Sequence, residues 1–166
     1  NLNIDEGRVI PKPDLIAKIV LNINLKDNEN VLILGSSTGY LAAILSYHAQ
    51  TVIVVEENKK LLEASEKSIK ENNINNVVFF NNEIAKGCLE QSPFNAIIIE
   101  GAVEEVPKNI VDQLENGGRM IAIISDNGAC TAKMHKKRGL SISTSKLFNC
   151  SIPVLNSFKM KNSFSF

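Results

Sequence analysis

Short apolar runs alternate along the chain with longer segments in which apolar residues recur at helical spacing. The apolar runs predict five strands, at residues 30–34, 51–55, 77–80, 94–99 and 119–124. The run at 51–55 is rich in β-branched residues and has no polar alternation, which is typical of a strand buried on both faces of a parallel sheet. The helical spacing predicts helices at residues 15–21, 41–47, 59–71 and 107–114. Asp14 is the predicted N-cap of the first helix.

The pattern changes after the fifth strand. Residues 130–137 and 140–148 are predicted to form two further strands, joined by a turn at 136–139 as an antiparallel hairpin. An Asn-Gly-Gly sequence at 116–118 predicts another turn, before the fifth strand. Alternation of strands and helices with short connections implies right-handed crossovers between parallel strands. We therefore predict an α/β fold that binds its ligand at the carboxyl ends of the parallel strands.

Gly35 and Gly39 mark the turn between the first of these strands and the next helix. Glycine lets the backbone pass close beneath a ligand, where a side chain would block the approach. A dinucleotide-binding turn would have glycines at positions 35, 37 and 40, but the chain has Ser37 and Tyr40. The Gly-Lys-Ser/Thr ending of a phosphate-binding loop is absent as well. A ligand without phosphates fits better, and S-adenosylmethionine is the common one.

Acidic residues follow the second, third and fourth predicted strands. Glu56 comes 21 residues after Gly35, close to the ~20-residue offset at which an acidic side chain reaches a ribose diol. The alternative is a solvated acid at a helix start, a role that Glu57 would fill equally well. Glu83 could accept a hydrogen bond from an adenine amino group, and Glu100 ends the fourth strand. We expect these carboxylates to gather with the glycine turn at one edge of the sheet.

Composition and net charge limit the number of domains and the kinds of partner that we expect. With 166 residues, 44% hydrophobic residues and a formal net charge of +0, we expect one domain over residues 1–166, without a nucleic-acid or membrane partner. The basic run at positions 133–138 is either a nucleic-acid patch or an exposed hairpin tip, and the neutral net charge favours the hairpin tip. Cys88, Cys130 and Cys150 lack metal-ligand spacing and suit reduced thiols in a cytoplasmic protein. No metal site is expected.

The first residue and the aromatic C-terminal segment each lead to a further prediction. The chain opens with Asn1 rather than Met, so we expect the natural protein to begin upstream, and targeting cannot be judged from this end. The aromatic side chains of Phe158, Phe164 and Phe166 are expected to pack on the sheet. The alternative is that this segment binds a partner.

These residues together resemble a known family. The glycine turn, Glu56, Glu83 and residues 93–99, 101–107 and 114–119 are similar to protein-L-isoaspartate O-methyltransferase, particularly its divergent bacterial branch. The likeness runs from about Gly7 to the end of the sequence. It implies a Rossmann-like class I methyltransferase with a mostly parallel seven-stranded sheet that ends in an antiparallel hairpin.

The resemblance also implies an activity. Members of the family transfer a methyl group from S-adenosyl-L-methionine to the free carboxylate of isoaspartyl residues in damaged proteins, which is a form of protein repair. Because a carboxylate is already an anion and a sulfonium methyl group is already activated, this reaction needs alignment and desolvation more than a general base. The implied cofactor-binding residues are Gly35, Ser36, Ser37, Gly39, Glu56, Glu57, Glu83 and Glu100.

The chain differs from the usual family pattern at three positions. The family has an acid where Ile33 stands, a glycine where Ser37 stands, and a serine near the transferring methyl group where Pro11 stands. A helical region that helps cover the substrate in the family precedes the matching residues and is not in this sequence. The alternative function is therefore a catalytically inactive, methyltransferase-like binding or scaffold protein. The adenosine contacts are retained, so we expect an adenosine pocket in which the intact cofactor binds weakly.

Overall fold

The computed structural model describes residues 2–5 and 8–159. The chain forms four α-helices in this part, in the order α1 Pro13–Ile23, α2 Tyr40–Ser46, α3 Lys59–Glu71 and α4 Lys108–Asp112. The strands are β1 Leu2–Asp5, β2 Arg8–Ile10, β3 Asn30–Leu34, β4 Thr51–Val55, β5 Val77–Phe80, β6 Phe94–Val103, β7 Leu114–Asp126, β8 Ala129–Arg138 and β9 Ser141–Cys150. Short 3-10 turns lie at Ile84–Lys86, Leu89–Gln91 and Asn156–Phe158.

A seven-stranded sheet in the order β5-β4-β3-β6-β7-β8-β9 forms the centre of the fold. Strands β3 to β7 run parallel to one another, and β8 and β9 continue the sheet antiparallel. This arrangement confirms the predicted α/β fold and its C-terminal hairpin. Because the carboxyl ends of the parallel strands share one edge, the loops that follow β3, β4 and β6 lie side by side there.

The predicted and observed bounds agree best for elements whose own residues show a clear strand or helix pattern. The bounds predicted for β3, β4, β5 and α3 are those observed. Strand β6 continues past the predicted end at Ile99 to Val103, because Ala102 and Val103 are buried and pair with β7. None of the helices in the described part of the chain has the length and apolar character needed to cross a membrane.

Three local predictions need correction. Lys12, not Asp14, is the N-cap of α1, because Pro13 with its fixed φ takes the first helical position. Residues 116–118 lie inside β7 instead of forming a separate turn, and Gly117, at φ +89°, sits where the register between β6 and β7 shifts. No strand is predicted before α1, yet the structure has an antiparallel pair there, β1 and β2. Strands this short leave too few residues for a recognisable pattern.

Two apolar layers cover the faces of the sheet and hold the strand ends in place. Alternate residues of β3 divide between them, so that Val31 and Ile33 pack in one layer while Leu32 and Leu34 pack in the other. The first layer includes the buried faces of α1 and α2, and the second includes Ile110 of α4. Burial on both faces explains the lack of polar alternation in these strands.

Arg119 of β7 fastens the end of α1 to the sheet. Its guanidinium donates to the carbonyl oxygens of Ile23 and Asn24, each at 2.8 Å, and to both carboxylate oxygens of Glu29, each at 2.7 Å. Burial alone would raise the pKa of Glu29, but the bonds from Arg119 outweigh it and hold that pKa below its usual value.

We expect Arg119→Leu to lower the free energy of unfolding by about 2 kcal/mol, because the Glu29 carboxylate and two helix-end carbonyls lose the hydrogen bonds from Arg119. Chemical denaturation of the two proteins measures this. Arg138→Leu, at an exposed position in the hairpin, is the matched control. Equal losses in the two variants would contradict the role of Arg119.

Candidate cofactor site

The glycine turn after β3 has the conformation that its sequence predicts. Gly35 and Gly39 have φ angles of +82° and +75°, a region that residues with a side chain rarely adopt. The Gly35 N–H donates to the carbonyl of Val55 at 2.9 Å, and the Gly39 N–H donates to Ser36 Oγ at 3.1 Å. A Cβ atom on Gly39 would lie 3.3 Å from Ser65 of α3. The turn is therefore tightly packed and fixed in shape.

Glu56 lies at the end of β4, where the sequence predicts it, but its carboxylate already has a partner. The Arg8 guanidinium donates to Oε1 at 3.1 Å and to Oε2 at 2.7 Å. The Asn58 N–H also donates to Oε1, at 2.8 Å. The Glu56 side chain is 0% exposed. A buried carboxylate needs such donors, so the pair is stable as it stands.

Sequence reasoning missed Arg8. This residue is 48 positions away from Glu56, in a three-residue strand without a distinctive pattern. An isolated arginine near a polar chain end gives no signal of its partner. Only the placement of β2 beside the sheet edge brings the two together.

Glu100 is the second buried carboxylate at this edge and is 5% exposed. Its Oε1 accepts bonds from the hydroxyl of Ser37 at 2.6 Å and from the Ser37 N–H at 3.3 Å. Among the described residues, no group bonds to its Oε2. Burial raises the pKa of Glu100 to about 7, although the bonds from Ser37 and the charge of Arg8 oppose this. The carboxyl group can therefore exist in either protonation state near neutral pH.

Glu57 and Glu83 have different surroundings from the two buried acids. The Glu57 carboxylate is exposed and contacts the hydroxyl of Ser157 and, at 3.4 Å, the N–H of Ile84. Glu83 is also exposed and forms an ion pair with Lys86 at 3.0 Å. It lines a separate open hollow, formed with Asn81, Asn82, Lys86, Gly87, Cys88, Leu89, Glu90, Asn109, Asp112 and Gln113. The structure thus joins the glycine turn to Glu56 and Glu100, and the role of Glu83 stays a prediction.

The structure shows where the residues that differ from the family pattern lie. Ile33 is fully buried in the apolar layer and lies opposite Ile98 in the sheet. Pro11 is buried just before α1 and has neither a hydroxyl nor an N–H to offer a ligand. Tyr40, at the start of α2, is 50% exposed and is therefore not buried in the turn.

A segment that follows β9 crosses this edge of the sheet. We name residues 152–159 the strap. Its backbone bonds to Ala102 of β6, whose N–H donates to Pro153 at 3.1 Å and whose carbonyl accepts from Leu155 at 2.9 Å. Ile152, Leu155 and Phe158 are buried. The predicted packing of Phe158 on the sheet is confirmed, while Phe164 and Phe166 lie outside the described residues.

Leu155 occupies the space above two glycines. A Cβ atom on Gly35 would lie 3.3 Å from Arg8 Nη2 and 3.4 Å from Leu155 Cδ1. A Cβ atom on Gly101 would lie 2.5 Å from Leu155 Cγ, which is closer than real Cβ contacts allow. Arg8 and Leu155 therefore cover the face of the turn that the sequence predicts for a ligand.

Known proteins share this fold over nearly all of the chain. A solved protein-L-isoaspartate O-methyltransferase superposes with a TM-score of 0.83 at 27% identity, over 92% of this chain and 50% of its own. A Plasmodium falciparum chain described as a protein-L-isoaspartate O-methyltransferase, solved in complex with S-adenosyl-L-homocysteine, has a TM-score of 0.76 at 23% identity, over 94% of this chain and 79% of its own. The second likeness concerns the fold alone.

Sequence relatives carry the same name. Protein-L-isoaspartate O-methyltransferase of Parvibaculum lavamentivorans is 34% identical over 77% of this chain, and that of Vibrio campbellii is 32% identical over 86%. The chain spans 58% of the first protein and 69% of the second. The sequence profile of protein-L-isoaspartate(D-aspartate) O-methyltransferase matches residues 1–157. By this match and these relatives, the chain belongs to the protein-L-isoaspartate(D-aspartate) O-methyltransferase family.

Proposed function

We propose that this chain is the cofactor-binding part of an S-adenosyl-L-methionine-dependent methyltransferase that acts on the carboxylate of L-isoaspartyl residues in damaged proteins. Membership of the family over residues 1–157 is the observation that carries the proposal. The relatives named protein-L-isoaspartate O-methyltransferase support the same activity. Because the chain spans 58% of one of these relatives and 69% of the other, the activity is proposed for the whole protein that contains it.

The site fits the proposed cofactor only in part. Gly35 and Gly39 keep the turn in the conformation expected beneath a ligand, and Oε2 of Glu100, which has no partner among the described residues, is available to a donor. The carboxylate of Glu56, by contrast, is bound by Arg8 on both oxygens. With Arg8 in this position, the residues do not fit a ribose diol at Glu56.

The proposed partners follow from the same function. The substrate is a protein or peptide that contains isoaspartyl residues, and the proposed location is the cytoplasm, where repair of cytosolic proteins takes place. The absence of nucleic-acid and membrane partners stays a prediction from the neutral net charge.

Calorimetric titration with S-adenosyl-L-homocysteine tests the cofactor. We expect a saturable heat and a rise in Tm with ligand concentration, since a ligand that binds only the folded state stabilises it. Titration with NAD, a phosphate-bearing dinucleotide, is the control and should give no saturable heat. If millimolar S-adenosyl-L-homocysteine produced no heat and no shift in Tm, the proposal would be overturned.

Transfer of a labelled methyl group tests the reaction. The whole protein is incubated with labelled S-adenosyl-L-methionine and a peptide that contains one isoaspartyl residue, and the same peptide with an ordinary aspartyl residue is the control. We expect label in the isoaspartyl peptide alone. Cofactor binding without transfer would instead favour the alternative of an inactive binding protein.

A further inference from the structure

We propose that the strap, residues 152–159, is an autoinhibitory closure that, together with Arg8, competes with an adenosyl ligand for the edge of the sheet. This inference rests on the proposed function and adds a closed and an open state to it. The closed state is the one described here. The open state exposes Gly35 and Glu56 to the ligand.

The first argument concerns the acceptor capacity of Glu56. A carboxylate offers about four lone-pair positions. Arg8 takes two of them and the Asn58 N–H takes a third. A ribose diol needs two acceptor positions at once, and Glu56 has 0% of its side chain exposed. The diol can therefore bind Glu56 only after the guanidinium of Arg8 has moved away.

The second argument concerns space. Arg8 Nη2 and Leu155 Cδ1 lie within contact distance of the position that a Cβ atom on Gly35 would occupy. Leu155 is also packed directly against Gly101. A ligand that passes close to the backbone of Gly35 would overlap both side chains. Movement of Arg8 alone leaves Leu155 in place, so the strap has to open as well.

The third argument concerns the attachment of the strap. Its regular structure is one bridge, between Val154 and Ala102, and one 3-10 turn at Asn156–Phe158. Its contacts with the rest of the chain include the two backbone bonds to Ala102, the bond that the Cys130 thiol donates to the Ile152 carbonyl at 3.4 Å, and the contact of Ser157 with Glu57. The sheet itself is complete without it. Opening the strap therefore leaves all seven strands paired, which is typical of a locally unfolding segment.

These features make ligand binding and strap closure mutually exclusive. The ligand binds the open state, so its apparent Kd is its intrinsic Kd divided by the fraction of open molecules. A substitution that weakens closure must increase the apparent affinity. If the strap were instead a wall of the binding site, the same substitution would decrease it.

Leu155→Ala is the decisive variant, because it removes the side chain that covers Gly35 and Gly101. We expect it to bind S-adenosyl-L-homocysteine at least about tenfold more tightly than the unmodified chain. Leu114→Ala is the matched control: Leu114 is a buried leucine of the same apolar layer, at the start of β7 and hence at the opposite edge of the sheet. Its affinity should equal that of the unmodified chain.

The outcomes separate the two proposals. Tighter binding in Leu155→Ala alone supports the closure. Equal or weaker binding in Leu155→Ala, or tighter binding in both variants, overturns the closure and leaves the cofactor proposal standing. Absence of binding in every protein at millimolar ligand overturns the cofactor proposal, and the closure with it.

Hydrogen exchange on the unmodified chain gives a second test that does not depend on a variant. The amides of Ala102 and Leu155 are bonded across the strap contact. At saturating S-adenosyl-L-homocysteine we expect both amides to exchange at least about tenfold faster. The amide of Phe94, bonded to the carbonyl of Gln113 at the far edge, is the internal reference and should not become faster. Slower exchange at Leu155 would show a ligand bound beneath a closed strap and would overturn the proposal.

Discussion

Replacement of Arg8 by methionine is expected to lower the free energy of unfolding by about 3–5 kcal/mol at neutral pH. Glu56 is fully buried, and among the described residues its carboxylate accepts two hydrogen bonds from the Arg8 guanidinium and one from the Asn58 N–H. Methionine keeps much of the side-chain volume but has no donor, so the variant leaves a charge inside the protein with the Asn58 N–H alone. Denaturant titration at neutral pH measures the loss.

A double variant identifies the cause of this loss. In Arg8→Met/Glu56→Gln the buried charge is removed together with its partner, and most of the stability should return, because a neutral amide costs far less to bury than a carboxylate. Strict additivity of the two single variants would show that the two side chains act independently. A loss below about 1 kcal/mol in Arg8→Met would show that water replaces the guanidinium.

Glu100→Gln should make the stability of the protein less dependent on pH. Burial raises the pKa of Glu100 from its usual value of 4.5 to about 7 in the folded chain. Between these two values the folded state holds a proton that the unfolded state has released. The free energy of unfolding therefore falls as the pH rises through this window, by about 3 kcal/mol in all, and levels off above it.

Glutamine cannot ionise, so the Glu100→Gln variant does not show this fall in the free energy of unfolding as the pH rises. The difference in unfolding free energy between Glu100→Gln and the unmodified chain should shift by about 3 kcal/mol in favour of the variant between pH 4.5 and pH 8. Denaturant titrations at a series of pH values give the curve. Glu66→Gln, on the exposed face of α3, is the control for the loss of one negative charge. A constant difference across the series would show that Glu100 ionises normally.

The predictable part of this fold is the part that short stretches of sequence determine by themselves. The runs at β3, β4 and β5 are apolar at successive positions, so the bounds of these strands follow from where each run begins and ends. Gly35 and Gly39 are predictable for the same reason, because the turn requires their backbone conformation.

The unpredicted part depends on contacts between distant segments. Arg8 meets Glu56 and Leu155 meets Gly101 only after the sheet has formed. Residues 116–118 have a typical turn sequence, yet the pairing of β6 with β7 draws them into a strand. In the candidate site, the position of Glu56 was therefore predictable, whereas the pairing of its carboxylate with Arg8 was not.

The position of the strap along the chain sets an order of events during translation. All seven strands of the sheet precede residues 152–159, so a ribosome completes them before the strap leaves the exit tunnel. Until then nothing from the strap covers Gly35 or Gly101. The edge of the sheet that carries Gly35 and Gly101 is therefore synthesised before the segment that covers it.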